Sequence, residues 1–172
     1  MASLVEQAWA ALESVTDPEI PVVSLRELGI LRSIEAAGEG LEVVITPTYS
    51  GCPAMGQIED DVAACLARAG IPARVLTRLA PAWTTDWMSP SARAKLHAYG
   101  IAPPHPVAPR ASAGAQAAPQ VVHFMRTAPA PVACPRCGSS HTRETSRFGS
   151  TACKALYQCL DCREPFDYFK PY

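Results

Sequence analysis

The feature that most constrains how this chain folds is a pair of Cys-x2-Cys motifs near its end, separated by 21 residues. Two cysteines spaced in this way can present both sulfurs to one metal ion from a tight turn, and two such turns complete a tetrahedral shell of four thiolates. The predicted ligands are Cys134, Cys137, Cys159 and Cys162. The spacing therefore predicts one closed metal site, typical of structural Zn²⁺.

Short strand-like stretches lie between and after these motifs, at 156–158 and 166–169. This layout is that of a β zinc ribbon. A segment of about 40 residues rarely buries enough apolar surface to fold alone, and structural zinc supplies roughly 10–16 kcal/mol of apparent binding energy. The alternative is two disulfide bonds, which would suit a secreted protein.

Composition and charge restrict the cellular compartment and the binding partners that we expect for this protein. The seven cysteines accompany an N-terminal stretch that is amphipathic and acidic, unlike a secretory signal, which favours a reducing cytoplasm. No apolar run approaches the roughly 18 residues that a membrane span needs. The net charge is −1, and residues 132–172 carry only +2, so the clustered basic charge of a nucleic-acid surface is missing. We expect a cytoplasmic protein that binds neither membrane nor nucleic acid.

A proline- and alanine-rich stretch divides the chain. Residues 102–131 contain seven prolines, and this composition favours an extended, solvated backbone. A short apolar island within it, at 121–125, is a candidate strand. We predict a domain at 1–101, a linker at 102–131 and a zinc ribbon at 132–172.

Hydrophobic periodicity predicts the order α-β-β-α-β-α for the first domain. The first helix carries apolar residues from Val5 to Val15, and Asp17-Pro18 is expected to end it. The remaining elements are expected at 30–34, 41–45, 54–69 with Gly70 as the C-cap, 74–79 and 91–99. The predicted fold class is α+β: a small domain with a three-stranded sheet, followed by a C-terminal β zinc ribbon.

The stretch from Thr46 to Met55 is the strongest candidate for a functional site. It follows a buried strand and opens a helix, where backbone N–H groups and the helix dipole favour an anion. Cys52 stands just before Pro53 at this turn, so we expect an exposed thiol with a lowered pKa that can bind metal or react. The alternative is a capped turn in which Cys52 is a small apolar filler, as we expect Cys65 to be on the apolar face of the helix.

A second candidate is the loop that follows the first helix. Asp17 and Glu19 could join Cys52 if the loops meet at one end of the sheet, and carboxylates beside a thiolate suit iron or zinc. The alternative is a helix terminator followed by a turn capped by Ser24. In the ribbon, Cys153 is either filler or a neighbour of the metal ligands, and His141 is the one spare metal ligand.

Motifs of common cofactor enzymes are missing. The sequence contains no G-x-G-x-x-G, G-x-x-x-x-G-K-[ST] or G-x-S-x-G motif. It also lacks a Glu-x-x-His pair that could build a carboxylate-bridged di-iron site. A thiol enzyme with Cys52 as nucleophile would find no histidine in the first ninety residues to serve as its base. We therefore predict no catalytic residue in this chain.

The first hundred residues resemble bacterial SufT and the eukaryotic cytosolic iron–sulfur targeting factors, whose marks are DPE, LGI and T-x-x-x-x-x-CP. Here these marks are Asp17 to Glu19, Leu28 to Ile30, and Thr46 through Cys52-Pro53. Together with the segments TPTYSGCPAM, PAWTTDWMS and SRFGSTACKALYQCLDCREPFDYFKP, they resemble one family closely. That family is the PaaD component (also called PaaJ) of the bacterial phenylacetyl-CoA epoxidase system. One departure is Glu27, since the related domains often have Asp before LGI.

The resemblance implies an accessory role in phenylacetate catabolism. The family's system epoxidises the ring of phenylacetyl-CoA with a di-iron catalytic subunit, a structural partner and a flavin/iron–sulfur reductase. The PaaD component resembles assembly factors, so this chain is expected to mature or insert the metal centre, iron–sulfur or di-iron, of a partner subunit. Cys52, with Asp17, Glu19 and Thr46, would form the transient site for an iron or iron–sulfur species, and the ribbon would dock on the client.

Two other functions remain open at this point: a thiol enzyme that uses Cys52, and a zinc-ribbon protein that binds nucleic acid. The sequence does not indicate the oligomeric state.

Overall fold

The computed structural model describes residues 2–105 and 130–172, so the candidate strand at 121–125 lies outside the described residues. The first hundred residues form the expected order of helices and strands. Their bounds are α1 (Leu4–Leu12), β1 (Leu31–Ala37), β2 (Gly40–Ile45), α2 (Met55–Arg68), β3 (Ala73–Thr77) and α3 (Pro90–Tyr99). The predicted α+β fold class is confirmed. In the part of the chain that the structure describes, none of the helices is both long and apolar enough to cross a membrane.

The sheet of the first domain has the order β1-β2-β3. β1 and β2 form an antiparallel hairpin, whereas β3 runs parallel to β2. Parallel neighbours require a crossover connection, which α2 provides. The apolar residues of α1 and α2 that join the core with the sheet are Ala8, Leu12, Ile58, Val62, Cys65 and Leu66.

The end of α1 differs from the prediction. The helix begins at a capping box, in which Ser3 and Glu6 each satisfy the other's backbone N–H. It ends at Leu12, before the Asp17-Pro18 pair that was expected to end it. An isolated β-bridge between Thr16 and Ser24 closes the following residues into a loop of their own. Asp17 therefore belongs to this loop and not to the helix end.

The C-terminal module is a three-stranded antiparallel ribbon. Its strands are β5 (Thr142–Ser146), β6 (Lys154–Cys159) and β7 (Pro165–Phe169). A two-residue strand from the end of the first domain, β4 (Ile101–Ala102), pairs in parallel with β7. The sheet order is thus β4-β7-β6-β5, and the ribbon sheet includes residues from both parts of the chain.

The ribbon also enters the core of the first domain. Phe169 is 1% exposed, and its ring centroid lies 6.0 Å from that of Trp83. The backbone N–H of Thr85 donates to the carbonyl of Tyr172 at 3.2 Å. The indole N–H of Trp83 in turn donates to the carbonyl of Leu28 at 2.9 Å. The division at 1–101, 102–131 and 132–172 stays a prediction, but these contacts place ribbon residues in the same apolar core as the sheet.

Candidate functional site

The four ribbon cysteines form a compact group. Their sulfurs all lie within 4.8 Å of one another, with 3.8 Å between Cys134 and Cys162 and 3.6 Å between Cys137 and Cys159. A tetrahedron with metal–sulfur bonds of about 2.3 Å has sulfur–sulfur edges of about 3.8 Å. Cys134 and Cys159 are fully buried. The group therefore has the donor chemistry and the spacing of a closed tetrahedral metal site.

The backbone of the two Cys-x2-Cys turns positions these sulfurs. In the first turn the N–H of Gly138 donates to the carbonyl of Cys134 at 2.9 Å. The residue after the last cysteine of each turn is left-handed, with φ of 75° at Gly138 and 68° at Arg163. In the second turn the N–H of Cys162 is the main reason that the pKa of Cys159 is lowered to about 7. Because the thiolate is the form that binds metal, this donor favours ligation at Cys159, whereas hydrogen bonds to the neighbouring thiols and desolvation raise the pKa values of Cys137 and Cys162.

The spare ribbon ligand proposed from the sequence is engaged elsewhere. His141 is exposed, and its Nδ1 lies 3.0 Å from Oδ1 of Asp161. Asp161 also accepts a hydrogen bond from Ser139 in the first turn. His141 thus pairs with a loop carboxylate and is not part of the four-sulfur group.

The second candidate site is the turn that carries Cys52. This residue precedes α2, and the backbone N–H groups of Ala54 and Met55 donate toward its sulfur. The thiol is nevertheless half-buried, and its pKa is raised, chiefly because burial disfavours the thiolate and also because the carboxylates of Asp17 and Glu19 repel it. The expectation of an exposed thiol with a lowered pKa is therefore wrong. The backbone N–H donors at the start of the helix lower the pKa of Cys52, but burial and the negative charges of the two carboxylates raise it by more.

Asp17 closes its own loop and also faces this site. Its Oδ1 accepts hydrogen bonds from the N–H groups of Glu19 at 2.8 Å and Ile20 at 3.0 Å. The side chain is buried, and desolvation is the main cause of its raised pKa. The residue thus serves as the turn cap of the alternative interpretation, and it is also a buried carboxyl group next to a thiol.

A cavity of about 20 Å³ joins these residues. A volume of about 10–15 Å³ is enough for one water molecule, so the space fits a single small species. The residues on its walls with a carboxyl, hydroxyl or thiol group are Asp17, Glu19, Thr48, Cys52, Thr151 and Cys153. Three of the four residues predicted for the transient site, Cys52, Asp17 and Glu19, therefore meet at one cavity.

The fourth predicted residue does not line this cavity. Thr46 is buried, and its backbone N–H donates to the carbonyl of Ile30 at 2.8 Å. Thr48, two residues along the chain, lies on the cavity wall instead.

Sequence reasoning missed the contribution of the ribbon to this site. Cys153 lies in the loop between β5 and β6, is half-buried, and shares the cavity wall with Cys52. Its sulfur lies 3.1 Å from Oγ1 of Thr151. The available signal was the cysteine count, because Cys153 is the one thiol of the ribbon without a Cys-x2-Cys partner.

Glu27, which stands where the related domains often have Asp, links two parts of the first domain. Its carboxylate receives the N–H of Ser24 at 3.0 Å, the hydroxyl of Ser91 at 2.7 Å and the ammonium of Lys95 at 2.7 Å. Burial opposes its ionisation, but the hydrogen bonds from Lys95, Ser24 and Ser91 outweigh burial and lower the pKa of Glu27 to about 2. The residue connects the loop after α1 to α3 and lies outside the Cys52 cavity.

Comparison with known protein families matches both modules. Residues 5–75 match the family described as iron-sulfur cluster assembly protein. Residues 118–170 match the family described as PaaD zinc beta ribbon domain. The fold and the two cysteine sites therefore define a class of protein: an iron–sulfur assembly-type domain joined to a zinc-ribbon module.

A relative and a solved structure make the assignment more specific. The chain is 47% identical over 167 residues, covering 96% of this chain and 92% of the relative, to an Escherichia coli K12 protein named as the D component of a putative 1,2-phenylacetyl-CoA epoxidase. The crystal structure of a domain of unknown function, DUF59, from Bacillus anthracis is 30% identical with a TM-score of 0.50, covering 54% of this chain and 91% of that one. This chain belongs to the PaaD family, as its motifs predicted.

Proposed function

We propose that this chain is a cytoplasmic accessory subunit of a phenylacetyl-CoA epoxidase system and that it matures or inserts the metal centre of a partner subunit. The observation that carries the proposal is the meeting of Cys52, Asp17 and Glu19 at one small cavity. These three residues lie in the part of the chain that matches iron–sulfur cluster assembly proteins. The name of the Escherichia coli relative supplies the system.

The electrostatics of the Cys52 site suit transient handling of a metal cargo. The pKa values of Cys52 and Asp17 are both raised, first of all by burial. An incoming cation must therefore displace protons, and this competition weakens its retention. A site that passes iron or an iron–sulfur species to a client needs such a moderate binding affinity.

The ribbon site has the opposite character, and we assign it structural Zn²⁺. Four thiolates in a closed tetrahedral arrangement are typical of structural zinc. The metal would fix the turns that flank β5, β6 and β7 and so hold the ribbon against the first domain. Exposed apolar side chains on the ribbon, Phe148 and Leu156, are available for contact with the client subunit.

A thiol enzyme is supported less well. The raised pKa of Cys52 leaves little thiolate at neutral pH. The described residues that line its cavity include carboxylates but no histidine to act as a base.

The test compares two cysteines of one region by co-expression with the epoxidase subunits. Cys52→Ala should leave folding almost unchanged, yet the oxygenase made with it should be inactive or poor in metal. Cys65 is buried on α2, and its thiol donates to the carbonyl of Ala11 at 3.3 Å. Cys65→Ala should therefore lower the free energy of unfolding by about 1–2 kcal/mol while oxygenase activity is retained. Fully active and fully metallated oxygenase produced with Cys52→Ala would show that this thiol is only structural.

A further inference from the structure

We propose that Cys153 of the ribbon is the second thiolate ligand of the Cys52 site, and that the cargo of this site is a single divalent transition-metal ion such as Fe²⁺ and not a preformed iron–sulfur cluster. This inference rests on the proposed function, because it specifies the ligands and the cargo of the same site.

Cys52 and Cys153 line the same cavity from opposite modules. Cys52 comes from the turn before α2, and Cys153 from the loop that joins β5 to β6. Both line the 20 Å³ cavity, and both line a second cavity of about 10 Å³ beside it. Two separate spaces lined by the same pair of residues bring Cys52 and Cys153 close to each other across the module boundary.

Hydrogen bonds hold the ribbon loop in this position. The N–H of Lys170 donates to the carbonyl of Cys153 at 2.9 Å, and the N–H of Lys154 donates to the carbonyl of Thr151 at 3.2 Å. The hydroxyl of Tyr172 donates to the carbonyl of Ala152 at 3.3 Å. Cys153 is thus placed by the ribbon backbone on both sides.

The donor set points to one borderline cation. Two thiols together with the carboxyl groups of Asp17 and Glu19 give sulfur and oxygen ligands, which suit Fe²⁺ or Zn²⁺. The nearby ammonium of Lys154 lies 3.7 Å from Oδ2 of Asp167, which offsets its charge. The local charge therefore favours a cation.

The available volume selects an ion over a cluster. A space of about 20 Å³ holds one atom-sized species, whereas a cluster of several iron and sulfide atoms would require the ribbon loop to separate from the Cys52 turn. Among the residues that the structure describes, only the ribbon cysteines form a group of three or more donors within 4.8 Å of one another. Donors at the Cys52 cavity must therefore draw together around an ion, as expected for a site that releases what it binds.

The experiment is a Co²⁺ titration of the full chain with zinc retained in the ribbon, in the absence of oxygen. Co²⁺ serves as the probe because thiolate-to-cobalt charge transfer grows with the number of sulfur ligands. The wild-type chain should bind one further Co²⁺ with the absorption of a two-thiolate site. Cys153→Ser and Cys52→Ser should each lose about half of that absorption and weaken binding about tenfold or more. Cys65→Ser is the matched control and should change neither quantity.

The outcomes separate this inference from the proposed function. Wild-type absorption and affinity in Cys153→Ser, confirmed in Cys153→Ala, would overturn Cys153 as a ligand and leave the Cys52 proposal standing. Failure of the wild-type chain to bind a further Co²⁺ would overturn the single-ion site itself. Zinc content and the unfolding midpoint of each variant exclude a general loss of fold. Conversely, loss of Co²⁺ binding in both variants, together with active oxygenase from co-expression with Cys52→Ala, would support the site and refute its role in maturation.

Discussion

Replacement of Phe169 by alanine tests whether the ribbon and the first domain fold as one cooperative unit. Phe169 ends β7, is 1% exposed and packs against Trp83 in the core of the first domain. Truncation of a buried Phe costs about 3–5 kcal/mol through lost burial and the cavity left behind. Because typical domains are stable by only about 5–15 kcal/mol, Phe169→Ala should remove a large part of the total stability.

The same ribbon offers a matched control. Phe148 is 65% exposed, and its ring contacts only the ammonium of Lys170 among the described cations, at 4.7 Å from the ring centroid. An exposed cation–π contact is worth about 0.5–1 kcal/mol, so Phe148→Ala should cost about 1 kcal/mol or less. The two substitutions remove the same side chain from one module, and they differ in whether that side chain enters the core.

The assay is urea unfolding followed both by tryptophan fluorescence, which reports on Trp9, Trp83 and Trp87 in the first domain, and by far-UV circular dichroism. The wild-type chain should give one transition at the same urea concentration by both probes, and Phe169→Ala should shift it strongly downward. Two separate transitions in the wild-type chain, or a cost for Phe169→Ala no larger than that for Phe148→Ala, would refute the shared core.

Two further predictions concern charge and metal. Glu27 has a folded-state pKa of about 2 against an ordinary value of 4.5, so its contribution is fully present above pH 4.5 and is lost as the pH falls toward 2. Because Lys95 is half-exposed, solvent screening reduces the contribution of the pair, and Glu27→Gln should lower the free energy of unfolding by about 1–2 kcal/mol at pH 7. The difference between wild type and variant should shrink at about pH 2.5. A difference of the same size at both pH values would contradict the predicted pH dependence. Elemental analysis should find one zinc per chain in the ribbon and none in Cys159→Ser. A zinc-free chain that keeps the NMR dispersion of its ribbon would argue against structural zinc.

The helices and strands that could be predicted from the sequence are those with a clear hydrophobic periodicity of their own. α2 shows apolar residues at helical spacing, with Gly70 at φ 70° just beyond its end, and β2 alternates toward the core before it becomes fully buried. β5 could not be predicted, because its sequence TRETS is polar at every position. Its strand conformation comes from pairing with β6, a contact that no local periodicity reveals.

The candidate site divides in the same way. The position of Cys52 at a helix start follows from the local sequence, since a strand, a turn and Pro53 are all visible there. The state of its thiol does not, because burial raises its pKa and residues about one hundred positions further along the chain share its cavity. Cys153 and Phe169 are two of these residues, and their position at the Cys52 cavity depends on how the ribbon packs against the first domain.

Geometry, more than ligand type, separates the two kinds of cysteine site in the proposed function. The four ribbon sulfurs already lie within 4.8 Å of one another, at the spacing of a tetrahedral metal site. Cys52 and Cys153 are also thiols, yet each is desolvated by burial and each is repelled by Asp17, so both pKa values are raised. Four sulfurs that are gathered before the metal arrives retain it, whereas buried thiols that must draw together and release protons bind it weakly. In the proposed function, one chain would thus keep a structural ion in the ribbon and exchange another at the module boundary.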